Sequence, residues 1–382
     1  MSLTFREGGG TVERLTIWRK VFRFNWGLAL LIAAAAAIGF LMLVSVSGGD
    51  LDPWARRQMV RFGVGVGVMA IVAMIDLKFW RLTAPALYLG ALALLVGVEI
   101  LGVTGMGAQR WIDFGFFRLQ PSELMKISLI VALAAYYAWL DPEDTSRLIW
   151  MAPPLLMIAA PVLLVLKQPD LGTAILLITG GLGVMFLAGV TWWFFVAGFF
   201  GAVGSVAAVL MSRGTDWQIL KDYQFRRIEV FLDPSQDPLG AGYHITQSKI
   251  ALGSGGLIGR GFMEGTQSRL NFLPEKHTDF IFTTLAEEFG FLGGASLLTI
   301  YGLILLFCFL SMTGNKDRFG ALVTGGVALT FFLFFAVNIS MVLGLAPVVG
   351  VPLPLVSYGG SAMLVLLFAF GLVQSAHIHR RS

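Results

Sequence analysis

The sequence predicts an all-α integral membrane protein: one polytopic domain of about ten membrane-crossing helices, with a large loop between the seventh and the eighth. Three observations predict it. The 382 residues are 57% hydrophobic and 13% charged, with mean hydropathy +0.79, whereas a soluble domain carries about 25% charged residues. The apolar residues fall in runs of about 17–25, the length one helix needs to cross the hydrocarbon. The 46 glycines suit close helix–helix approach. The net charge of +4 is modest. In such a chain it reports loop charges beside the membrane, and no nucleic-acid partner is expected. Cys308 is the one cysteine, in an apolar run. An internal disulfide and a cysteine-based metal site are therefore excluded.

Residues 1–25 form a polar arm with Arg6, Arg14, Arg19, Lys20 and Arg23. The first apolar run, 26–47, is long and lacks a clear small-residue cleavage site, so it reads as a retained helix and not as a signal peptide. Further runs follow at 58–76, 83–102, 122–140, 149–166, 171–189, 192–212, 283–311, 319–344 and 359–377. Short breaks at Gln168–Asp170 and Val190–Thr191 separate neighbouring runs. Ten spans put both termini on one side. The loops of that side (1–25, 77–82, 141–148, 190–191, 312–318 and 378–382) hold twelve Lys/Arg. The short loops of the other side hold about half as many: Arg56, Arg57, Arg110, Arg118 and Lys167, with Arg61 at a helix end. This asymmetry places both termini in the cytoplasm.

Three outer segments then stand out. Residues 103–121 carry Gln109-Arg-Trp-Ile-Asp113 and Arg118-Leu-Gln-Pro-Ser-Glu123. Residues 213–282 are too long for a mere connector. They include Tyr223–Phe231, semi-amphipathic and suited to lying on a membrane surface. Residues 345–360, with Pro347, Gly350, Pro352, Pro354 and Ser357-Tyr-Gly-Gly360, suggest a broken segment lining protein or a watery cavity.

The candidate site residues cluster at the same boundary. The span 265–282 packs Arg269, Glu275, Lys276, His277 and Asp279 beside the eighth run, which carries Glu287 and Glu288 near its start. Ionisable groups there are costly unless paired or used. Asp279 reads either as a general base or as a helix N-cap, since Asp is a favoured cap. His277 is a base, a ligand or a structural residue. Glu287 and Glu288 complement a helix N-terminus, and the depth of at least one points to the bundle interior. Glu123 and Lys126, at i and i+3, share a helix face, as an ion pair or as a cation offered to an anionic substrate. Lys167 and Asp170 carry the same ambiguity. Asn338 reads as interhelical glue. The run Gly253–Gly261 lacks the Gly-Lys-Ser/Thr ending of a nucleotide loop and reads as a flexible loop near a lipid or sugar head group.

Several motifs together resemble the SEDS family (shape, elongation, division and sporulation proteins), in its RodA-like, rod-shape branch. They are Arg110-Trp-Ile, Gln120-Pro-Ser-Glu123 with Lys126, Lys167-Gln-Pro-Asp-Leu-Gly172, Ser254-Gly-Gly with Gly259 and Gly261, Leu273-Pro-Glu-Lys-His-Thr-Asp-Phe-Ile-Phe282, Glu287-Glu288, and Pro352-Leu-Pro-Leu-Val-Ser-Tyr-Gly-Gly360. Gly265-Thr-Gln-Ser is similar to the elongation branch. The resemblance implies a ten-span glycosyltransferase of the bacterial cytoplasmic (inner) membrane that polymerises peptidoglycan during elongation. Its donor is a glycan on undecaprenyl pyrophosphate, and its acceptor is lipid II. The family's functional aspartate falls on Asp279, and Ser357 lies in a matching motif. The resemblance also implies a divalent cation (magnesium or manganese), no organic cofactor, and a class B penicillin-binding protein within the elongation machinery as partner. Such chemistry needs a base near the acceptor oxygen and positive charge at the departing pyrophosphate, from Arg110, Lys126, Lys167 or Arg269. Two other readings stay open: a lipid II flippase, and a scaffold that only recruits the crosslinking enzyme.

Overall fold

The computed structural model describes residues 16–105, 108–113, 115, 118–215, 218, 225, 241–266 and 275–380. A short helix, α1 (Ile17–Phe22), precedes seven long ones: α2 (Trp26–Val46), α3 (Ala55–Met74), α4 (Leu77–Leu101), α5 (Pro121–Trp139), α6 (Leu148–Lys167), α7 (Leu171–Leu187) and α8 (Trp192–Met211). After α9 (Ala241–Gly255) come α10 (Ile281–Thr313), α11 (Arg318–Val342) and α12 (Gly360–Ile378). Eight of these are long and apolar enough to cross a membrane. With the 17-residue α7 and with α5, which carries Glu123 and Lys126, they match the ten runs read from the sequence.

Local chemistry sets the helix starts. Asn25, Asp76, Asp170 and Asp317 each accept a backbone N–H from the first turn they precede, satisfying donors that a helix N-terminus leaves open. Pro121 opens α5, where a missing N–H costs nothing. Two boundaries differ from the hydropathy reading. α4 begins at Leu77 instead of 83, and α3 at Ala55 instead of 58. In both cases charged residues (Lys78 and Arg81; Arg56 and Arg57) ride on helical turns that hydropathy alone takes for loop.

The segment after α4 holds a small antiparallel sheet within the all-helical frame. Strands β1 (Val103–Gly105), β2 (Ala108–Asp113) and β3 (Arg118–Leu119) pair in the order β1-β2-β3. Gly115, at φ +84°, turns the chain between β2 and β3, and its N–H donates to Asp113 Oδ1 at 2.8 Å. Burial is greatest in α5, α11 and α12, and α12 packs along α3. No residue of α8 is buried.

The glycine-rich run proves to be a clasp, not a flexible loop. α10 kinks at Gly290 (φ 64°, ψ −160°). Across this kink Arg260 N and Gly261 N donate to the carbonyls of Glu287 and Glu288, while Phe291 N and Leu292 N donate to those of Gly256 and Leu257. A Cβ at Gly259 would lie 2.1 Å from Glu288 O, so only glycine fits. Of the large loop 213–282, Tyr223–Phe231 apart from Phe225 lies outside the described residues.

Candidate active site

Two segments meet at the N-terminal ends of α10 and α12. One is the turn 275–280, where Thr278 N and Phe280 N donate to Glu275 O. The other is the Pro/Gly-rich stretch 345–359, non-helical and buried along Val351–Ser357. They are strapped together. Ser357 Oγ donates to Thr278 O at 2.5 Å and accepts from Leu353 N at 2.8 Å, and Tyr358 N donates to His277 O at 2.9 Å. From α11, Asn338 Nδ2 donates to Asp279 O at 2.8 Å and to Val351 O at 2.7 Å. Gln58, fully buried on α3, donates to Ser357 O at 3.0 Å. Two glycines let neighbouring helices close on the stretch. A Cβ at Gly39 would lie 2.7 Å from Val356 Cα, and one at Gly172 would lie 2.5 Å from Val349 O. The non-helical backbone thus finds its polar partners in protein, as irregular backbone within a membrane protein must. Leu355, at φ 66°, is held in the left-handed region that such packing can impose.

Asp279 sits on this strapped turn, and its carboxylate makes no hydrogen bond or ion pair with any described residue. The N-cap of α10 is Phe280, without a side-chain cap bond. The capping alternative for Asp279 is therefore excluded. Burial, with Glu275 nearby, pushes its pKa up to about 6. A Cβ placed at Gly350 would lie 3.6 Å from Asp279 Oδ2, so the carboxylate lies against a glycine with φ +67°.

Glu123 and Lys126 form a buried ion pair, Nζ to Oε1 2.8 Å, at 7% and 4% exposure. The ammonium also lies 4.1 Å from the centre of the Phe334 ring, a cation–π contact that helps to hold a charge in an apolar place. Both residues line a slot of about 40 Å³, with Phe334, Ser357, Gly359 and Met363. At this width it holds a few waters and no sugar. Asp279 is not in its wall. Ser357 joins the two, lining the slot and holding the Asp279 turn.

The other candidates divide. Arg110 donates to the carbonyls of Gln168 (3.2 Å) and Pro169 (2.6 Å) and lies 3.8 Å from Asp170 Oδ2. Asp170 caps α7 through Thr173. Arg110 and Asp170 are thus joined to each other, as a clamp on the α6–α7 turn. Lys167 is exposed at the end of α6. His277 stacks on Trp54 at 4.1 Å, and burial pushes its pKa down, leaving it neutral. Glu287 and Glu288 are both buried, at 0% and 2%. Glu288 accepts from Ser45 Oγ, and Glu287 accepts from Thr266 Oγ1 at 3.1 Å. Arg269 lies outside the described residues. Sequence reasoning passed over Gln58, Trp54 and Gly39. Gly39 and Gln58 lie on α2 and α3 and Trp54 just before α3, far along the chain from the motifs they support, and they carry no charge pattern to flag them. No described group of three His, Cys, Asp or Glu residues could hold a metal ion.

The profile of the FtsW/RodA/SpoVE family, described as cell cycle proteins, matches residues 26–382. The chain belongs to this family. It is 42% identical to the peptidoglycan glycosyltransferase MrdB of Escherichia coli K12 over 372 residues, covering 97% of both chains. It is 33% identical to the probable peptidoglycan glycosyltransferase FtsW of Tolumonas auensis, covering 94% of this chain and 93% of that one. Among solved structures it is similar to a chain of a peptidoglycan synthase complex that coordinates polymerization and crosslinking (TM-score 0.80, 33% identity, 93% and 97% covered). It is also similar to the rod shape determining protein RodA of Thermus thermophilus (TM-score 0.70, 30% identity, 94% and 98% covered). As in these family members, the ten helices make a multi-pass bacterial membrane protein.

Proposed function

We infer that this chain is a glycosyltransferase that polymerises lipid II into glycan strands during cell elongation, with Asp279 as its general base. The observation that carries the assignment of the base is the Asp279 carboxylate: partly buried, without a partner among the described residues, and with its pKa raised to about 6. A base works best with a pKa near the operating pH. The turn that bears it is fixed by its backbone, through Asn338 and Ser357, which leaves the side chain free.

In this reading the acceptor hydroxyl of lipid II attacks the anomeric carbon of the donor sugar. The new oxygen–carbon bond forms as the bond to the pyrophosphate breaks. The proton passes to Asp279, and the leaving electron pair goes to the pyrophosphate on its carrier. With Asp279 as the base and the acceptor oxygen as the nucleophile, one displacement with inversion converts an α-linked donor into a β-linked glycan. Lys126 is the cation for the pyrophosphate. The implied divalent ion, magnesium or manganese, also fits, because magnesium is commonly held by one or two carboxylates together with substrate phosphates. Glu275, beside Asp279 on the same turn, would hold it. When bound it would neutralise charge on the departing phosphates.

The partner is a class B penicillin-binding protein that crosslinks the product. The similarity to a complex that couples polymerization and crosslinking supports this. Both termini are in the cytoplasm, by the Lys/Arg asymmetry of the loops. A flippase would place its essential charges near mid-membrane. The buried pair here occupies the first two turns of α5, at the end of a span, which favours chemistry at the surface. The test is lipid II polymerisation by the purified protein with its transpeptidase, with and without Asp279→Asn. Unchanged glycan synthesis by a folded Asp279→Asn protein would sink the assignment.

A further inference from the structure

A second cavity lies at the other end of the bundle, where α1 and the start of α2 meet the ends of α10 and α12. It is a cleft of about 590 Å³, open to the surface, where Arg23 and Arg380 are exposed. Its walls are aromatic and apolar, with Phe22, Trp26, Phe307 and Leu310, and its cations are Arg23 and Arg380. No carboxylate lines it among the described residues, and neither arginine has an ion-pair partner among them. His377, also in the wall, is engaged through Nδ1 with Ser311 Oγ at 3.2 Å.

The floor of this cavity is built by fixed contacts. Asn25 and the fully buried Gln374 exchange two hydrogen bonds: Asn25 N to Oε1 at 2.9 Å, and Nε2 to Asn25 O at 3.0 Å. Phe307 presses on Gly27, where a Cβ would lie 2.8 Å from its Cζ. Lys20 Nζ donates to Met74 O at 2.7 Å, and Trp26 Nε1 donates to Val21 O at 3.2 Å, which holds α1 against the bundle. The surroundings are those of a membrane interface. On α1, Ile17, Trp18 and Phe22 are more than 70% exposed, and Leu306, Phe309 and Leu310 line an exposed apolar track on α10.

We propose that this cavity binds an anionic phospholipid of the leaflet that borders the termini. The phosphate sits with Arg23 and Arg380, and the acyl chains follow Phe307 and Leu310. Charge selects the head group: two guanidiniums, with no carboxylate beside them among the described residues, recognise phosphate at a membrane interface, as basic pockets between spans do. The apolar walls select a ligand with hydrocarbon attached, which inorganic phosphate lacks. The occupant joins α1 to α10 and α12, so it braces the bundle at the end away from Asp279.

The test uses the full chain, purified in detergent. Thermal melting and native mass spectrometry are followed on adding dioleoyl-phosphatidylglycerol, dioleoyl-phosphatidylcholine or inorganic phosphate. The expected result is a rise in Tm and a retained lipid with phosphatidylglycerol only. Arg23→Gln with Arg380→Gln should weaken that retention about tenfold or more, as loss of charge-assisted bonds does. Arg56→Gln with Arg57→Gln, at the other end of the bundle, should leave it intact. Equal response to the two lipids, an equal response to inorganic phosphate, or a folded double variant that keeps its preference would each overturn the site. A photoactivatable phosphatidylglycerol on the unaltered protein provides a test without substitutions. Label on residues 22–26 or 307–311 supports the site, and label confined to other segments refutes it.

Discussion

Asn338 holds Asp279 by its backbone and not by its carboxylate: one Nδ2 bridges the carbonyls of Asp279 and Val351, at 2.8 and 2.7 Å. A side chain on α11 thereby fixes the position of a reactive group on another element without spending the oxygen atoms that group needs. Asn338→Leu should leave two carbonyls short of a donor, and a buried group left unsatisfied costs about 1–3 kcal/mol. The expected result is a lower Tm and a kcat that falls more than the lipid II KM changes, because the turn loses its register. A variant with an unaltered kcat would show that the strap is dispensable.

Asp279 has its own signature in pH. Its folded pKa, about 6, lies above the ordinary value of 3.8. The fold therefore favours the neutral acid. That contribution is fully present below about pH 3.8 and is lost as pH rises through about 6. Asp279→Asn keeps the neutral form at every pH. It should melt above the unaltered protein at pH 7–8, by up to about 3 kcal/mol of stability, and converge with it toward pH 4. Activity moves the other way. Polymerisation by the unaltered protein should rise with pH through about 6, and Asp279→Asn should lose about 10²–10⁴-fold. A rate that is flat between pH 5 and 7 would rule out Asp279 as the titrating base.

The order of helices was readable because hydrocarbon thickness imposes a length on every span. The Glu123–Lys126 pair was readable because i, i+3 spacing on one helix determines contact. The small sheet at 103–119 was not, because its strands are too short to show a period and their pairing is a tertiary contact. Nor was the union of Arg110 with Asp170, since a sequence shows each charge but not the partner that tertiary packing supplies. The glycine run misled for the same reason. Its glycines serve close backbone approach to the kink at Gly290, a long-range contact that local composition presents as flexibility.

Lys126 can be separated from its structural duty. Lys126→Met alone leaves Glu123 buried without a partner, and breaking a buried pair in this way costs about 3–5 kcal/mol. Loss of activity in that variant would prove nothing. Glu123→Gln with Lys126→Met removes both charges, so stability should largely return. If Lys126 serves the pyrophosphate, polymerisation should stay at least tenfold down. A stable, active double variant would make the pair structural only.

His277 should prove to be packing. It stacks on Trp54 at 4.1 Å, with the rings 19° from parallel, and Tyr358 lies edge-on to Trp54. His277→Phe keeps a ring and should polymerise lipid II within about threefold of the unaltered protein, while His277→Ala should lose about 0.5–1.5 kcal/mol of stability. An inactive but folded His277→Phe would return the imidazole to the list of reacting groups.

The topology can be read with single cysteines. Asp50, exposed after α2, and Glu143, exposed between α5 and α6, lie on opposite sides of the membrane in the bundle. Cys308 is fully buried, so Cys308→Ala gives a background with no native thiol to label. In intact spheroplasts a maleimide that cannot cross membranes should label Asp50→Cys and spare Glu143→Cys, which should react only after permeabilisation. The reason is the Lys/Arg excess on the side of Glu143, which the insertion machinery keeps in the cytoplasm. That orientation puts the turn of Asp279 at the outer face, where lipid II presents its sugars. The reverse labelling pattern would place Asp279 on the wrong side of the membrane for glycan synthesis outside the cell, and the general-base assignment would fall with the topology.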